Sequence, residues 1–247
     1  MLMAKRAILW AKAKQPSLCV VSIGMETKKK SSRKAKSAGK DKIAQAYRQS
    51  LLTEGKQPSS VFTFCQSIGI AEDEFYMQYG SFEAIDKAIW KAYLQSVAGR
   101  LMNDSNYHSF SVREKILAFY FTLAEVLRAD RSFVLYSLKD CKNPASPPAF
   151  LKAFKTDFTA WINPVLNDGK QSGEIAQRPI LDTRYASLFW LHLVFVLQFW
   201  AKDDSPGFEQ TDVAIEKSVN LAFDLVGKGI LDNALDFGKF LYQSAKA

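Results

Sequence analysis

GKQPSSVFTFCQSIGIAEDEFYMQYGSFEAI, residues 55–85, is the stretch whose reading decides the fold. Pro58 fixes φ, and Ser59 and Ser60 offer hydroxyl caps ahead of Val61, Phe64 and Cys65, whose i, i+3, i+4 spacing marks the buried face of a short helix. That helix is expected to end near Ile68. Gly69 supplies the left-handed conformation a tight helix-helix turn needs, Ile70 turns back into the core, and a second helix starts near Glu72. Phe75, Tyr76 and Tyr79 form its apolar side, Gly80 stops it, and Ser81 with Glu83 and Ala84 starts the next helix. A preceding helix with Ile43, Ala46, Tyr47 and Leu51 at helical spacing completes a three-helix head over residues 43–90 with the rhythm of a helix-turn-helix reader.

Beyond the head, helical periodicity continues, with no alternating strand runs, so the chain reads as all-α. A long helix runs through Ile85, Ala88, Ile89, Tyr93 and Val97 to Met102. The polar loop NDSNYHS follows, and Ser111 with Glu114 forms a capping box for SVREKILAFYFTLAEVL. A short helix is expected over residues 128–141, and another from Pro147 through Phe150, Phe154, Phe158, Trp161 and Ile162. Asn167, Asp168, Gly169, Gly173 and Pro179 mark a loop before two final helices, residues 186–201 and 213–226. ASLFWLHLVFVLQFWA, residues 186–201, is apolar nearly all round and too short to span a membrane, so it is central or shared between subunits.

The order of these motifs resembles the tetracycline-repressor (TetR/AcrR) family. The family's pattern G-x-x-x-T-T-V-x-x-I-A-x-x-A-G-V-S-x-G-T-L-Y-x-Y-F-x-S-K-E-A-L lies over residues 55–85 without a gap, with matches at Gly55, Ser59, Ser60, Val61, Phe64, Gly69, Ile70, Phe75, Tyr76, Ser81, Glu83 and Ala84. GEIAQRPILDTRYASLFWLHLVFVLQFW and TDVAIEKSVNLAFDLV are similar to the family's last two helices. The resemblance implies a helix-turn-helix head over 43–90 and a helical ligand-binding and dimerisation domain over 91–227. It also implies a homodimer formed through residues 186–201 and 213–226, regulating transcription in response to an apolar effector, while the odd number of scattered cysteines fits a reducing cytoplasm. DNA contacts would then come from Ser59, Ser60 and Tyr76, from Glu74, Met77 and Gln78 reading bases, and from Lys40 and Lys42 of a basic arm.

Charge pulls against that reading. Residues 1–42 hold twelve Lys or Arg against Glu26 and Asp41, a net +10, whereas the remaining 205 residues carry 21 basic and 23 acidic side chains. The head itself, residues 43–90, has three basic residues against six acidic ones. Where family members carry Ser-Lys-Gly-Thr at the start of the recognition helix, this chain has Ala71, Glu72, Asp73 and Glu74. Three carboxylates suit a helix N-terminus but repel the phosphates that supply most DNA affinity. Phe82 replaces the lysine of the family's Ser-Lys-Glu, removing another phosphate contact. Residues 28–42, with no apolar side chain larger than alanine, are expected to form a disordered arm, either a solubilising leader or a holder of nucleic acid or anionic membrane. Residues 1–24 read as an upstream start-site extension.

Two readings fit the aromatic residues of the larger domain: a filled core, or an apolar cavity lined by Phe119, Tyr120, Phe154, Phe158, Trp161 and Trp190. His192 and Gln198, the polar interruptions of the apolar helix, orient a ligand, switch with pH in the case of His192, or serve as hydrogen-bonded structural groups. Residues 228–247 pattern as an amphipathic helix, a strut on the bundle or a membrane-surface helix. The latter is similar to what is seen in a lipid-binding branch of the same fold, in ubiquinone biosynthesis, that lost DNA reading. Hence a second reading stands beside the regulator: a binder of lipid or hydrophobic metabolite without sequence-specific DNA binding, contacting a membrane peripherally. Catalysis finds little support. His108, His192, Cys19, Cys65 and Cys141 lack metal-ligand spacing, no phosphate loop, G-x-S-x-G or dinucleotide fingerprint occurs, and no cofactor is expected.

Overall fold

The computed structural model describes residues 27–139, 141, 148–178, 181–227 and 229, with six further positions between 237 and 244. The chain divides into two compact units, Met1–Gly39 and Lys40–Ala247. Only helices and their connections occur among the described residues. Residues 1–24 and 230–235 lie outside them.

Helix α1, Thr27–Glu54, buries Ile43, Ala44, Tyr47 and Leu51, an i, i+4 stripe. It begins at Thr27, where the residue pattern led us to expect a disordered arm. Lys, Arg and Ala are good helix formers, and a helix already nucleated by its packed C-terminal half extends at little cost.

Helices α2, Val61–Ile68, and α3, Glu72–Gln78, form the helix-turn-helix pair. Ser60 caps α2 by accepting the Thr63 N–H at 3.1 Å, and Gly69 closes it at φ 68° while the Ile70 N–H donates to the Cys65 carbonyl at 3.1 Å. Phe75 and Tyr79 are buried on one side of α3, but Tyr76, expected on that apolar side, is 54% exposed. Phe75 and Tyr79 are one helical turn apart and claim the core face, which leaves Tyr76 beside it.

Helix α4, Phe82–Met102, starts on a Ser81 cap, with the Ala84 N–H donating to Ser81 Oγ at 3.2 Å. Its 21 residues extend about 31 Å. Phe82 is the turning point of the head. Its ring stacks on Tyr47 at 5.2 Å and meets Phe64 and Phe75 edge-on at 5.5 and 5.8 Å. A residue read from its alignment as a missing phosphate contact is therefore the centre of the aromatic core joining α1, α2, α3 and α4.

The larger bundle comprises α5, Val112–Arg128; α6, Arg131–Leu138; α7, Ala149–Ser172; α8, Tyr185–Lys202; and α9, Glu209–Val226. Helix α4 packs along α5 and α7, α8 along α7 and α9, and α9 along α5. The Ser111–Glu114 capping box forms as expected. The loop expected from Asn167 starts instead at Gly173, φ 82°, because α7 continues through Gly169. Gly169 is buried where a Cβ would lie 2.7 Å from Ile175 Cδ1, so close helix packing, not chain reversal, uses this glycine. Glu174 then reaches back to accept the N–H groups of Val112 and Arg113 at 3.0 and 3.3 Å, capping α5 from sixty residues away.

The α8–α9 pair is held at both ends by arginines. Arg178 donates to the Tyr185 hydroxyl and to the carbonyls of Leu225, Val226 and Gly227, closing the C-terminus of α9. Arg131 donates to the carbonyls of Trp200 and Asp203 and stacks on Trp200 and Phe208. Asp203 accepts from Ser205 and Thr211 to start α9. Of the C-terminal stretch, Phe237, Phe240 and Leu241 are exposed on helical backbone.

Candidate functional site: an acidic helix-turn-helix face and an aromatic junction

On the head, Ser59 and Ser60 are exposed, with Ser60 Oγ engaged by Thr63 and Ser59 Oγ 3.3 Å from Thr63 Oγ1. Glu74, Tyr76 and Met77 are exposed and Gln78 partly so, as surface-reading residues need to be. Glu72 and Asp73 are exposed beside them. None of these three carboxylates forms an ion pair among the described residues. Lys42 is exposed, and Lys40 holds its ammonium 5.2 Å from the Tyr79 ring while the Tyr79 hydroxyl donates to the Lys40 carbonyl at 3.2 Å.

Behind this face a polar linkage ties the head to the bundle. Arg48 of α1 pairs with Asp130, between α5 and α6, and the Tyr93 hydroxyl of α4 donates to the same carboxylate at 3.1 Å. Burial raises the Tyr93 phenol well above its ordinary range, with the Asp130 charge adding to it. Tyr47 donates to Asp86, whose own carboxyl is pushed up to about 6 by burial.

In the bundle, seven of the eight ligand-lining candidates come together. Phe119 stacks on Trp161 at 4.1 Å and meets Phe158 at 5.5 Å; Phe158 meets Trp190 at 6.1 Å, and Trp190 meets Phe154 at 6.3 Å. Tyr120 adjoins Phe119 and sets its ring edge-on to His192 at 5.0 Å. Gln198 is exposed and stands apart, because it lies on the outer side of α8. Residue patterning missed Trp90 of α4, which stacks on Phe150 and meets Phe154 edge-on, both at 5.3 Å. Trp90 sits next to Ile89 in the long-helix stripe, a usable signal. Its indole N–H is buried without an acceptor among the described residues, which costs about 1–3 kcal/mol.

His192 is fixed from both sides. Its Nδ1 lies 3.1 Å from the Tyr120 hydroxyl and its Nε2 2.8 Å from Ser218 Oγ. A neutral imidazole donates from one ring nitrogen and accepts at the other, so Tyr120 and Ser218 take opposite roles on its two sides. Burial lowers the imidazole pKa to about 4, keeping it neutral near pH 7. Among the described residues no cluster of His, Cys, Asp or Glu is arranged to hold a metal, and no helix is long and apolar enough to cross a membrane.

The outer sides of α8 and α9 remain apolar. Leu188, Leu191 and Phe195, spaced i, i+3, i+7 on α8, are exposed, as are Val213, Leu221 and Leu225 on α9.

Residues 115–241, just over half of the chain, match the family described as "Tetracyclin repressor-like, C-terminal domain". The chain belongs to the tetracycline-repressor family. The fold agrees with that of a protein from Syntrophomonas wolfei str. Goettingen assigned to the TetR-family transcriptional regulators, at TM-score 0.61 and 16% identity, covering 78% of this chain and 98% of that one. A protein from Shewanella sp. PV-4 with the same assignment superposes at TM-score 0.56 and 15% identity, over 76% of this chain and 97% of that one. A Rhodococcus sp. RHA1 protein of unknown function shares the fold at TM-score 0.53 and 11% identity, over 77% and 96% of the two chains. No curated protein matches the sequence.

Proposed function

We propose that this protein is a transcriptional regulator of the tetracycline-repressor type, a homodimer joined through the outer sides of α8 and α9 that binds DNA with its helix-turn-helix head and an apolar effector among the aromatic residues of the bundle. The observation that carries this reading is the helix-turn-helix itself: a capped α2, a Gly69 turn at φ 68° and a short α3 whose Glu74, Tyr76 and Met77 face outward. The apolar stripes on α8 and α9 supply a self-complementary surface.

One observation favours a second reading, a lipid- or metabolite-binding protein without operator recognition: the three exposed carboxylates of Glu72, Asp73 and Glu74 at the start of α3. Genomic binding enrichment and gel-shift assays separate the two. They compare the full chain with a variant whose Lys28, Lys29, Lys30, Arg33, Lys34 and Lys36 are changed to Gln. Sequence-specific binding that persists in the variant supports the regulator. Binding that is sequence-blind, falls steeply with salt and vanishes in the variant supports the second reading. Native mass spectrometry of protein from cells reports any retained lipid.

A further inference from the structure

A cleft of about 480 Å³ lies between α1 and α4, lined by none of the proposed effector-contacting aromatic residues. Lys40, Ala44 and Arg48, at i, i+4, i+8 on α1, form one wall, and Ala88, Lys91 and Ala92 on α4 form the other. The alanines create the space, since they line both walls without filling the gap. Its volume lies within the range of about 300–1,000 Å³ in which small molecules bind.

Three of the seven polar or charged side chains that line the cleft are already committed. Tyr79 donates to the Lys40 carbonyl, and Tyr93 and Arg48 both serve Asp130. Two ammonium groups stand out from this pattern. Lys91 is exposed and forms no ion pair among the described residues, and Lys40 has only the Tyr79 ring face as a partner. Asp41 is the one carboxylate in the lining. An apolar floor flanked by two cations without a carboxylate partner is the complement of a short amphipathic anion.

We propose that this cleft binds a small amphipathic anion, a carboxylate or phosphate monoester on a short alkyl body. The headgroup lies between Lys40 and Lys91, and the body lies on Ala44, Ala88 and Ala92. Such a ligand bridges α1 to α4. Because Tyr79 at the end of α3 shares the cleft with Lys40, the bridge also bears on the position of the helix-turn-helix. This site is independent of whether the head reads DNA.

The test is calorimetric titration of the full chain with octanoate and octyl phosphate, with octylamine as the cationic control, supported by NMR shifts of the Ala88 and Ala92 methyls. Variants Lys91→Glu and Lys40→Glu alter exposed side chains, and Ala92→Trp fills the cleft; thermal melts confirm that each is folded. We expect at least one anion to bind, octylamine not to, and affinity to fall about tenfold in each charge-reversed variant and to vanish in Ala92→Trp. Preference between octanoate and octyl phosphate distinguishes a carboxylate from a phosphate ligand. Absence of binding by both anions, equal binding of octylamine, or affinity unchanged by all three variants overturns the proposal.

Discussion

Arg48 of α1 and Asp130, 82 residues further along the chain, form an ion pair whose carboxylate also accepts the Tyr93 hydroxyl. Through it α1, α4 and the α5–α6 junction share one polar node. Both side chains are about two-thirds buried, so the pair is worth more than a typical surface ion pair but less than a fully desolvated one. Arg48→Ala and Asp130→Asn are each expected to cost about 1–2 kcal/mol of stability, and the double variant less than the sum of the two. Urea unfolding of the four proteins in a double-mutant cycle measures the coupling. Strict additivity would show that the node joins nothing.

Gly69 holds the turn of the helix-turn-helix at φ 68°, with no neighbouring atom within 4 Å of where a Cβ would sit. The cost of Gly69→Ala is therefore backbone strain without a clash. It should be about 1 kcal/mol, visible as a lower Tm in calorimetry, with the helical content of the folded state unchanged.

His192 supplies a pH dependence of definite sign. Its pKa falls from an ordinary 6.5 to about 4 on folding because burial disfavours the imidazolium. The unfolded chain therefore binds the proton more readily, and this contribution is fully present above pH 6.5 and lost as pH falls toward 4. Within that window His192→Gln should remove a slope of up to about 1.4 kcal/mol per pH unit from the stability profile, relative to the parent chain. Denaturant midpoints between pH 4 and pH 7 give the difference; parallel profiles would contradict it.

Leu191 and Leu221 are 55% and 60% exposed on the outer sides of α8 and α9. If these sides join two copies, Leu191→Asp or Leu221→Asp places a carboxylate in an apolar interface and should convert a dimer into monomers in sedimentation velocity. A monomeric parent chain, or a dimer indifferent to both substitutions, removes the proposed interface.

What the residues determine alone is local. The caps at Ser60, Ser81 and Ser111, the left-handed turn at Gly69 and the buried stripes of α1, α2 and α5 each depend on groups three or four positions apart, so their chemistry is written in adjacent sequence. The aromatic residues of α5, α7 and α8 were legible as a set for the same reason. Tertiary structure decided what distant neighbours make of a residue. Phe82 falls where the resembled family pattern has lysine, yet the rings of Tyr47, Phe64 and Phe75 turn it into the core of the head. Gly169 looks like a loop signal, yet Ile175 occupies the space a Cβ would take, and α7 continues. Gln198 lies outside the aromatic cluster because α8 offers its other side to the core, and Glu174 caps a helix that begins sixty-two residues before it. Local propensity fixes where helices start and stop, whereas the burial of side chains against partners far along the chain fixes which surfaces remain for a ligand, a second copy or DNA.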